Sequence, residues 1–363
     1  MGPLTNYRII ELGGLGPAPM CGLLLADLGA EVIVIERPVK VEIGVEPTKT
    51  VERRGKRSVE LDLKEPRAIE IILKLVESAD GLIEGFRPGA AERLGLGPED
   101  CFAHNPRLVY GRITGWGQDG PLAQAAGHDI NYIALSGALH AIGPAEGPPI
   151  PPLNLVGDYG GGAMYLACGL LAGLLEAQKS GRGQVIDAAM LDGALFLMSL
   201  YFTLNATGHW QDARGANHLD GGAPFYRTYE TKDGRYVAIG ALEQRFYDEL
   251  LARLELDGAD LPDRMKPANW PALTELFETL FKTKTQAEWR ARLEGTDSCF
   301  APVLALGDVA DHPHVKARAA VTDSAGMTQP SPGPRFSRSV LAAPRPPEEK
   351  GASTAQILNE LGF

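Results

Sequence analysis

Short apolar runs and stretches with helical periodicity follow one another through the first half of the chain. The apolar runs predict buried strands, and the periodic stretches between them predict amphipathic helices. The strands are predicted at 7–12, 31–36, 58–63, 81–84 and 107–113, and the helices at 20–28 and 66–78. This alternation is typical of a parallel sheet covered by helices on both faces. We therefore expect residues 1–187 to form one large, doubly wound α/β domain.

The pattern changes after residue 187. Residues 188–224, an apolar helix followed by a polar, turn-rich stretch, are predicted to link the large domain to a smaller α+β domain at 225–318. That domain begins with a hairpin at 225–241, and its other elements are predicted as helices at 244–253, 271–281 and 286–293 and a strand at 301–306. The proline-rich residues 319–363 are expected to be an extended linker that returns to the large domain.

Composition and charge exclude several classes of partner. The chain is 44% hydrophobic and 22% charged, and its net charge is -11, whereas nucleic acids and anionic membranes are bound through clustered lysine and arginine. The apolar stretches at 164–175 and 188–204 are shorter than the roughly 20 residues that a membrane helix needs, so both are predicted to be buried helices. The N-terminus has no signal-peptide pattern, and we expect a cytoplasmic protein.

Cysteine and histidine spacing gives no metal site. The four cysteines are scattered without a Cys-x-x-Cys spacing, which argues against a zinc cluster and against a disulfide framework. His312 and His314 have no third ligand at a suitable spacing. We therefore expect no metal.

The first βαβ unit invites a dinucleotide-binding interpretation. Glu36 follows Gly16 by 20 positions (36 minus 16), which is the spacing of the acidic residue in that motif. However, Pro17 and Pro19 lack the N–H groups that would bind a pyrophosphate. A βαβ unit with a tight turn is favoured.

A basic cluster stands out in this acidic chain. It consists of Arg53, Arg54, Lys56 and Arg57, directly before a predicted strand. Two interpretations are open: a solvated loop, or a site for phosphate groups, which arginine and lysine bind well.

The candidate chemistry lies between residues 127 and 162. His128 and Asp158 each stand beside glycine, which allows close approach of a ligand or of another backbone. Asp158 directly precedes a strongly apolar helical stretch, so it is predicted to cap that helix, and capping alone would explain an aspartate there. For His128, a place in the core or at a helix start is the corresponding structural explanation.

The motifs together resemble a known family, the α-methylacyl-CoA racemases within the family III CoA transferases. The matching segments span most of the chain in the same order; they are ELGGLGPAP, DLGAEVIVIERP, EGFRPGAAERLGLGPE, TGWGQDGP, AGHDINYIALSG, PPLNLVGDYGGGAM, GQVIDAAMLDG, RGANHLDGGAPFY and VAIGALEQRFY. The resemblance implies a Rossmann-like large domain, a smaller α+β domain and an interlocked homodimer whose active sites are shared between chains.

The resemblance also implies roles for individual residues. His128 and Asp158 would be the two acid/base residues on opposite sides of the substrate α-carbon, and Glu243, from the partner chain, would support the histidine. If Asp158 starts a helix, the N–H groups that follow it would bind the enolate oxygen. The resemblance suggests Arg37 and Arg93 on phosphate groups, Leu61 and Leu63 around the adenine, and Tyr132 and Asn154 near the thioester end. Arg87, like Arg93, is predicted beside a strand end, where open α/β sheets bind ligands, and Gly160 and Gly161 would let the thioester approach.

The implied function is racemisation of 2-methylacyl-CoA thioesters through an enolate, with no cofactor besides the CoA of the substrate. Two alternatives remain: a family III CoA transferase in which Asp158 is a nucleophile that carries the acyl group, and a CoA-binding protein without catalysis. His128 favours the racemase, because a transferase needs no base opposite the aspartate. Branched fatty acyl, sterol side-chain and aryl-propionyl groups are all compatible with the sequence.

Overall fold

The computed structural model describes residues 1–38 and 46–363, and these form two compact units. The first unit comprises Met1–Ser136, Leu153–Met198 and His314–Phe363, and the second comprises Gly137–Pro152 and Ser199–Pro313.

The strands and helices alternate through most of the chain. The strands are β1 (Arg8–Leu12), β2 (Glu31–Glu36), β3 (Arg57–Glu60), β4 (Gly81–Glu84), β5 (Val109–Thr114), β6 (Gln184–Ala189), β7 (Tyr226–Glu230), β8 (Tyr236–Gly240), β9 (Phe300–Val303), β10 (Val321–Ser324) and β11 (Met327–Pro330). The α-helices are α1 (Pro17–Asp27), α2 (Pro66–Val76), α3 (Ala90–Arg93), α4 (Pro98–His104), α5 (Asp129–Leu135), α6 (Ala138–Ala141), α7 (Tyr165–Ser180), α8 (Met190–Leu197), α9 (Ser199–Ala206), α10 (Gln244–Arg253), α11 (Trp270–Phe281), α12 (Gln286–Leu293), α13 (Pro313–Ala317) and α14 (Thr354–Leu361). A π-helix spans Leu155–Met164, and short 3₁₀ turns lie at Pro47–Lys49, Val51–Arg53, Pro267–Asn269 and Leu306–Asp311.

A six-stranded parallel sheet organises the first unit. Its strand order is β3-β2-β1-β4-β5-β6, which is the order of doubly wound dinucleotide-binding folds, so the predicted α/β class is confirmed. Successive side chains of a strand point to opposite faces of the sheet. Ile9 therefore joins the core on one face and Ile10 the core on the other, where Ile72 of α2 and Ile357 of α14 pack.

The strand order reverses direction at β1. From β1 the chain adds β2 and β3 on one side, then returns to place β4 on the other side. In open α/β sheets such a reversal creates a crevice at the carboxyl ends of the two central strands, where ligands bind. The fold thus predicts a site beyond Leu12 of β1 and Glu84 of β4.

The π-helix and α7 form one apolar helical segment, Leu155–Ser180. It has 26 residues, and an 18-residue window within it has a mean hydropathy of 1.3, so it is long and apolar enough to cross a membrane by length and composition. The prediction from the apolar stretch 164–175, that this part of the chain is too short for a membrane helix, is therefore not confirmed. Half of its most apolar window is buried in the protein. Its Leu166 and Leu170 pack in the core beside Val109 of β5, as expected of a helix that covers the sheet.

The stretch predicted as one buried helix at 188–204 differs from the prediction. It is divided into α8 and α9, and none of the α9 residues is buried. Phe196 is 67% exposed, and Leu200 and Phe202 are also exposed. The first unit extends to Met198, beyond the expected boundary at 187, because α8 packs against the π-helix.

The second unit contains a three-stranded antiparallel sheet in the order β7-β8-β9. The hairpin between β7 and β8 turns at Gly234, whose φ of 70° is readily adopted only by glycine. Aromatic side chains from β7, from the residue before it and from α11 and α12 fill its core, and these include Phe225, Tyr229, Phe277, Phe281 and Trp289.

The basic cluster pairs with carboxylates and with the C-terminal segment. Each of its four side chains forms an ion pair: Arg53 with Glu36, Arg54 with Asp27, Lys56 with Glu11, and Arg57 with Glu31 and Glu360. Arg54 also donates to the Gln329 side chain at 2.7 Å and to the Pro330 carbonyl at 2.6 Å. Since these charges are already paired within the chain, the structure does not support a solvated loop or a phosphate site here.

Candidate active site

The carboxyl edge of the parallel sheet gathers most of the predicted site residues of the first unit. Segments that follow five neighbouring strands contribute to it: Leu61 and Leu63 after β3, Arg37 after β2, Gly16 after β1, Arg87 and Arg93 after β4, and His128 after β5. The predicted residues are therefore distributed along one edge of the sheet, although they come from distant parts of the sequence.

Asp158 lies against the loop that follows β1. A methyl group added to Gly16 would lie 3.3 Å from Oδ2 of Asp158, and the φ of Gly16 is 73°. The loop approaches the carboxylate this closely because glycine has no side chain and accepts a positive φ. Asp158 therefore stands at the crevice where the strand order reverses.

The prediction that Asp158 caps a helix was wrong. Asp158 is the fourth residue of the π-helix, whose N-cap is Asn154. The Tyr159 N–H, predicted as an enolate donor, donates instead to the Asn154 carbonyl at 3.3 Å. Because the π-helix starts earlier than expected, the N–H groups after Asp158 are not those of a free helix end.

Gly160 and Gly161 lie inside the π-helix and were predicted to admit the thioester. A methyl group on Gly161 would lie 2.6 Å from the Ala194 nitrogen, and one on Gly193 would lie 1.8 Å from the Gly161 carbonyl oxygen. The absence of a side chain at Gly161 therefore allows the backbone of α8 to pack closely against the π-helix. A methyl group on Gly160 would meet the Leu155 carbonyl at 3.1 Å and Leu197 at 3.2 Å.

Asp129 is a site residue that the sequence reasoning missed. It is 6% exposed, and its Oδ1 accepts a hydrogen bond of 2.7 Å from the Asp158 N–H. Within the described ranges its Oδ2 is buried and has no protein partner. The contact requires Gly157, since a methyl group there would lie 2.5 Å from Oδ1. The available signal was the position of Asp129 next to His128 in the sequence.

The Asp158 carboxyl has a pKa above its ordinary value. Burial is the largest cause, because removal from water disfavours the charged form. The Asn154 side chain, which donates to Oδ2 at 3.1 Å, lowers the pKa; the Asp129 charge raises it, and the His128 charge lowers it. His128 and Asp158 are therefore close enough to interact electrostatically.

His128 is exposed and occupies the N-cap of α5. Of the two structural explanations offered by the sequence, it therefore lies at a helix start and not in the core. Its backbone N–H donates to the Asn131 side chain at 3.0 Å. Tyr132, predicted near the thioester, is 6% exposed, and its hydroxyl donates to the Gly127 carbonyl. Its ring meets the Trp116 ring edge-on with centroids 4.8 Å apart, so Tyr132 holds the loop that presents His128.

The other predicted substrate-binding residues differ in exposure. Arg37, Arg87 and Arg93 are exposed and follow β2 and β4 at the carboxyl edge of the sheet. Leu61 is partly buried, and Leu63 packs in the hydrophobic core, where it is less accessible to an adenine ring.

Glu243 belongs to the second unit, where it is the N-cap residue of α10. Its side chain is exposed and makes no capping hydrogen bond. The carboxylate is thus not committed to the helix that it begins.

These groups suit proton transfer. A half-buried carboxyl whose pKa is raised by burial is a better general base than an exposed one, and histidine is the side chain most often used in general acid–base catalysis. Among residues 1–38 and 46–363, no group of three or more His, Cys, Asp and Glu side chains is arranged to hold a metal ion.

Comparison with known proteins gives consistent matches over the whole chain. The family model for CoA-transferase family III matches residues 4–351. Alpha-methylacyl-CoA racemase of Mus musculus is 44% identical over 363 residues, covering 99% of this chain and 93% of the relative. The same enzyme of Homo sapiens is 42% identical over 366 residues, covering 99% and 94%.

The fold is also shared with a solved structure. A CAIB/BAIF family protein from Brucella suis superimposes with a TM-score of 0.84 at 27% identity and covers 99% of both chains. The resemblance inferred from the sequence motifs is confirmed by these matches. The chain belongs to CoA-transferase family III.

Proposed function

We propose that this protein is a racemase of 2-methylacyl-CoA thioesters. The observation that carries the proposal is the Asp158 carboxyl, which lies at the sheet crevice with a raised pKa and interacts with the His128 charge. The full-length similarity to alpha-methylacyl-CoA racemases supports the substrate class.

In this mechanism His128 and Asp158 act on opposite faces of the α-carbon. In one direction the Asp158 carboxylate removes the α-proton, the C–H electron pair moves into the thioester to form an enolate, and protonated His128 delivers a proton to the other face. In the reverse direction neutral His128 is the base and protonated Asp158 is the acid. The raised pKa of Asp158 makes its carboxylate a stronger base and its acid form more abundant near neutral pH.

A homodimer is part of the proposal, with Glu243 of one chain orienting His128 of the other. The first unit exposes large apolar side chains on the π-helix, α7, β6 and α8, and these are Leu155, Tyr165, Leu175, Val185, Phe196 and Leu197. Apolar surface of this kind is typical of a protein–protein interface. We expect Phe196→Asp to convert a dimer into monomers in light scattering at micromolar concentration; a monomeric mass for the unchanged protein would contradict the shared site.

The decisive experiment follows the α-hydrogen. The protein is incubated in D₂O with a 2-methylacyl-CoA and with no acceptor acid, and deuterium at the α-carbon is measured by mass spectrometry. His128→Ala and Asp158→Asn should each abolish interconversion of the enantiomers and suppress exchange of the enantiomer for which the missing residue is the base. The control variants His140→Ala and Asp119→Asn, which change exposed side chains of the same types, should retain both activities. Absence of exchange in the unchanged protein would remove the racemase proposal.

The same preparation tests the two alternatives. The family that the chain belongs to is named for CoA transferases, so this alternative is tested directly. A CoA transferase would form an acyl anhydride on Asp158, which hydroxylamine converts into a hydroxamate. A binding protein without catalysis would show full CoA binding and no exchange. Loss of exchange with retained CoA binding in the Asp158 variant excludes a mere binder.

A further inference from the structure

The second unit contains a buried cation outside the groups already described. Arg264 is 6% exposed, and its guanidinium lies 4.7 Å from the centre of the Phe225 ring and 4.4 Å from that of Tyr247. In the described part of the chain Asp248 and Asp263 act on it only through space, without an ion pair. Burial of an arginine without an ion-paired carboxylate is costly, so its hydrogen-bond partners must compensate for the lost hydration.

The guanidinium binds a single short segment of backbone. Nη1 donates to the Ala241 carbonyl at 2.9 Å, and Nη2 donates to the Leu242 carbonyl at 3.0 Å and to the Gln244 side chain at 3.3 Å. Arg264 is itself fixed, because its carbonyl accepts a 2.8 Å hydrogen bond from the Trp270 indole. A rigid planar fork held at both ends can fix the direction of the segment that it contacts.

That segment carries Glu243. It joins the end of β8 to the start of α10, and the three acceptors of Arg264 lie on both sides of Glu243 in the sequence. The Glu243 carbonyl accepts from the Phe246 and Tyr247 N–H groups at 3.1 and 3.0 Å, so the backbone of Glu243 starts the helix while its carboxylate remains exposed.

We propose that Arg264 is a positioning residue that holds the Glu243 carboxylate in the direction required to orient the catalytic histidine. The inference rests on the proposed function, in which Glu243 supports His128. The Phe225 and Tyr247 rings fix the orientation of the guanidinium. The guanidinium in turn fixes, by hydrogen bonds, the two carbonyls before Glu243 and the Gln244 side chain after it. Glu243 itself then needs no capping bond to be held.

The variants separate this role from general stability. Arg264→Met removes the donors and keeps an apolar stem between the rings, and Arg264→Lys keeps the charge but cannot bridge three acceptors. Arg253→Met is the matched control, because Arg253 lies at the other end of α10 in an exposed pair with Glu249. We expect α-hydrogen exchange to lose roughly 10- to 100-fold in kcat for Arg264→Met, with KM changed by less than about three-fold, and a smaller loss for Arg264→Lys. Arg253→Met should remain within about two-fold.

The decisive comparison is made in the Glu243→Gln background. If Arg264 acts through Glu243, Arg264→Met should reduce exchange by no more than about two-fold once Glu243→Gln is present. If Arg264→Met reduces exchange by the same factor with and without Glu243→Gln, the effect of Arg264 is structural. That result would overturn the positioning role of Arg264 and leave the proposed function untouched. Unchanged exchange in Glu243→Gln itself would overturn the role of Glu243 in the proposed function, and the Arg264 inference with it.

The Cys299 thiol gives a readout that does not depend on activity. Burial is the largest cause of its raised pKa; the charges of Glu243 and Asp297 raise it further, and that of Arg245 lowers it. The pH dependence of iodoacetamide labelling at this cysteine, followed by peptide mass spectrometry, should give a lower pKa in Glu243→Gln. A shift in the same direction in Arg264→Met and Arg264→Lys, but not in Arg253→Met, is expected. An unshifted thiol in folded Arg264 variants would mean that Glu243 has not moved and would refute the inference.

Discussion

Asp129→Asn should lower the pKa of Asp158 and move the pH dependence of catalysis to lower pH. The substitution removes a negative charge that raises the pKa of Asp158, while the amide oxygen of asparagine can still accept the Asp158 N–H. Since a carboxylate is stabilised when a neighbouring like charge is removed, the shift must be downward. Asp129→Ala removes the acceptor as well and should reduce activity further.

The size of the shift follows from the geometry. Oδ1 of Asp129 lies 2.7 Å from the Asp158 nitrogen, and we take the separation of the two carboxyl charges as roughly 6 Å. Coulomb's law then gives about 0.7 kcal/mol at a dielectric constant of about 80 and about 3 kcal/mol at about 20, or about 0.5 to 2 pKa units. Because the Asp158 side chain is only half-buried, we expect the lower part of this range, about 0.5 to 1 unit.

The assay is kcat/KM for α-hydrogen exchange between about pH 5 and 9, measured with each enantiomer. Where Asp158 is the base, kcat/KM rises with pH through its pKa, and this limb should move about 0.5 to 1 unit to lower pH in Asp129→Asn. The control is Asp119→Asn, which removes an exposed charge from the same unit and should leave the limb in place. An active Asp129→Asn enzyme whose limb does not move, or moves to higher pH, would refute the electrostatic role of Asp129.

Three further outcomes are expected. Gly193→Ala should cost at least about 2 kcal/mol in the free energy of unfolding, measured by urea denaturation, because its methyl group would overlap the backbone of the π-helix; Gly307→Ala, which has open space, should be neutral within about 0.5 kcal/mol. Arg54→Met should cost about 3 to 5 kcal/mol in the same measurement, since it removes a buried guanidinium and leaves the partly buried Asp27 carboxylate without its ion-pair partner, and a loss below about 1 kcal/mol would contradict the assigned pairing. Arg37→Ala should raise KM for acyl-CoA about 10-fold with kcat unchanged, as expected for a lost phosphate contact; an unchanged KM would remove Arg37 from the CoA site.

The sequence predicted the elements whose formation is decided locally. Strands β2 and β4 and helices α10 and α12 have the predicted bounds, because an apolar run between turn residues or a clear helical period is a short-range signal. Helix α1 begins at Pro17, three residues earlier than predicted, since proline fits the first turn of a helix, where its missing N–H is not needed.

The details of the candidate site depend on contacts that no local pattern contains. The π-helix pairs the Tyr159 N–H with the Asn154 carbonyl, five residues back, and the Asp158 N–H is taken by Asp129, 29 residues away. A sequence shows an aspartate before three glycines, and capping is the usual explanation of that pattern. Only the tertiary structure shows that the helix begins earlier and that Gly161 serves the packing of α8.

The arginines of the basic cluster and those at the edge of the sheet differ in their partners and exposure. Arg53, Arg54 and Arg57 are close together in the sequence, yet a dense group of like charges is stable in a folded protein only if carboxylates neutralise it, and each of these arginines has such a partner. Arg37 and Arg93 are far apart in sequence and stand in no cluster. They follow β2 and β4, the two neighbours of β1, and they are exposed at the carboxyl edge of the sheet, where the crevice lies. We therefore expect a CoA phosphate to bind at the arginines that the sheet topology brings to the crevice, and not at the basic cluster.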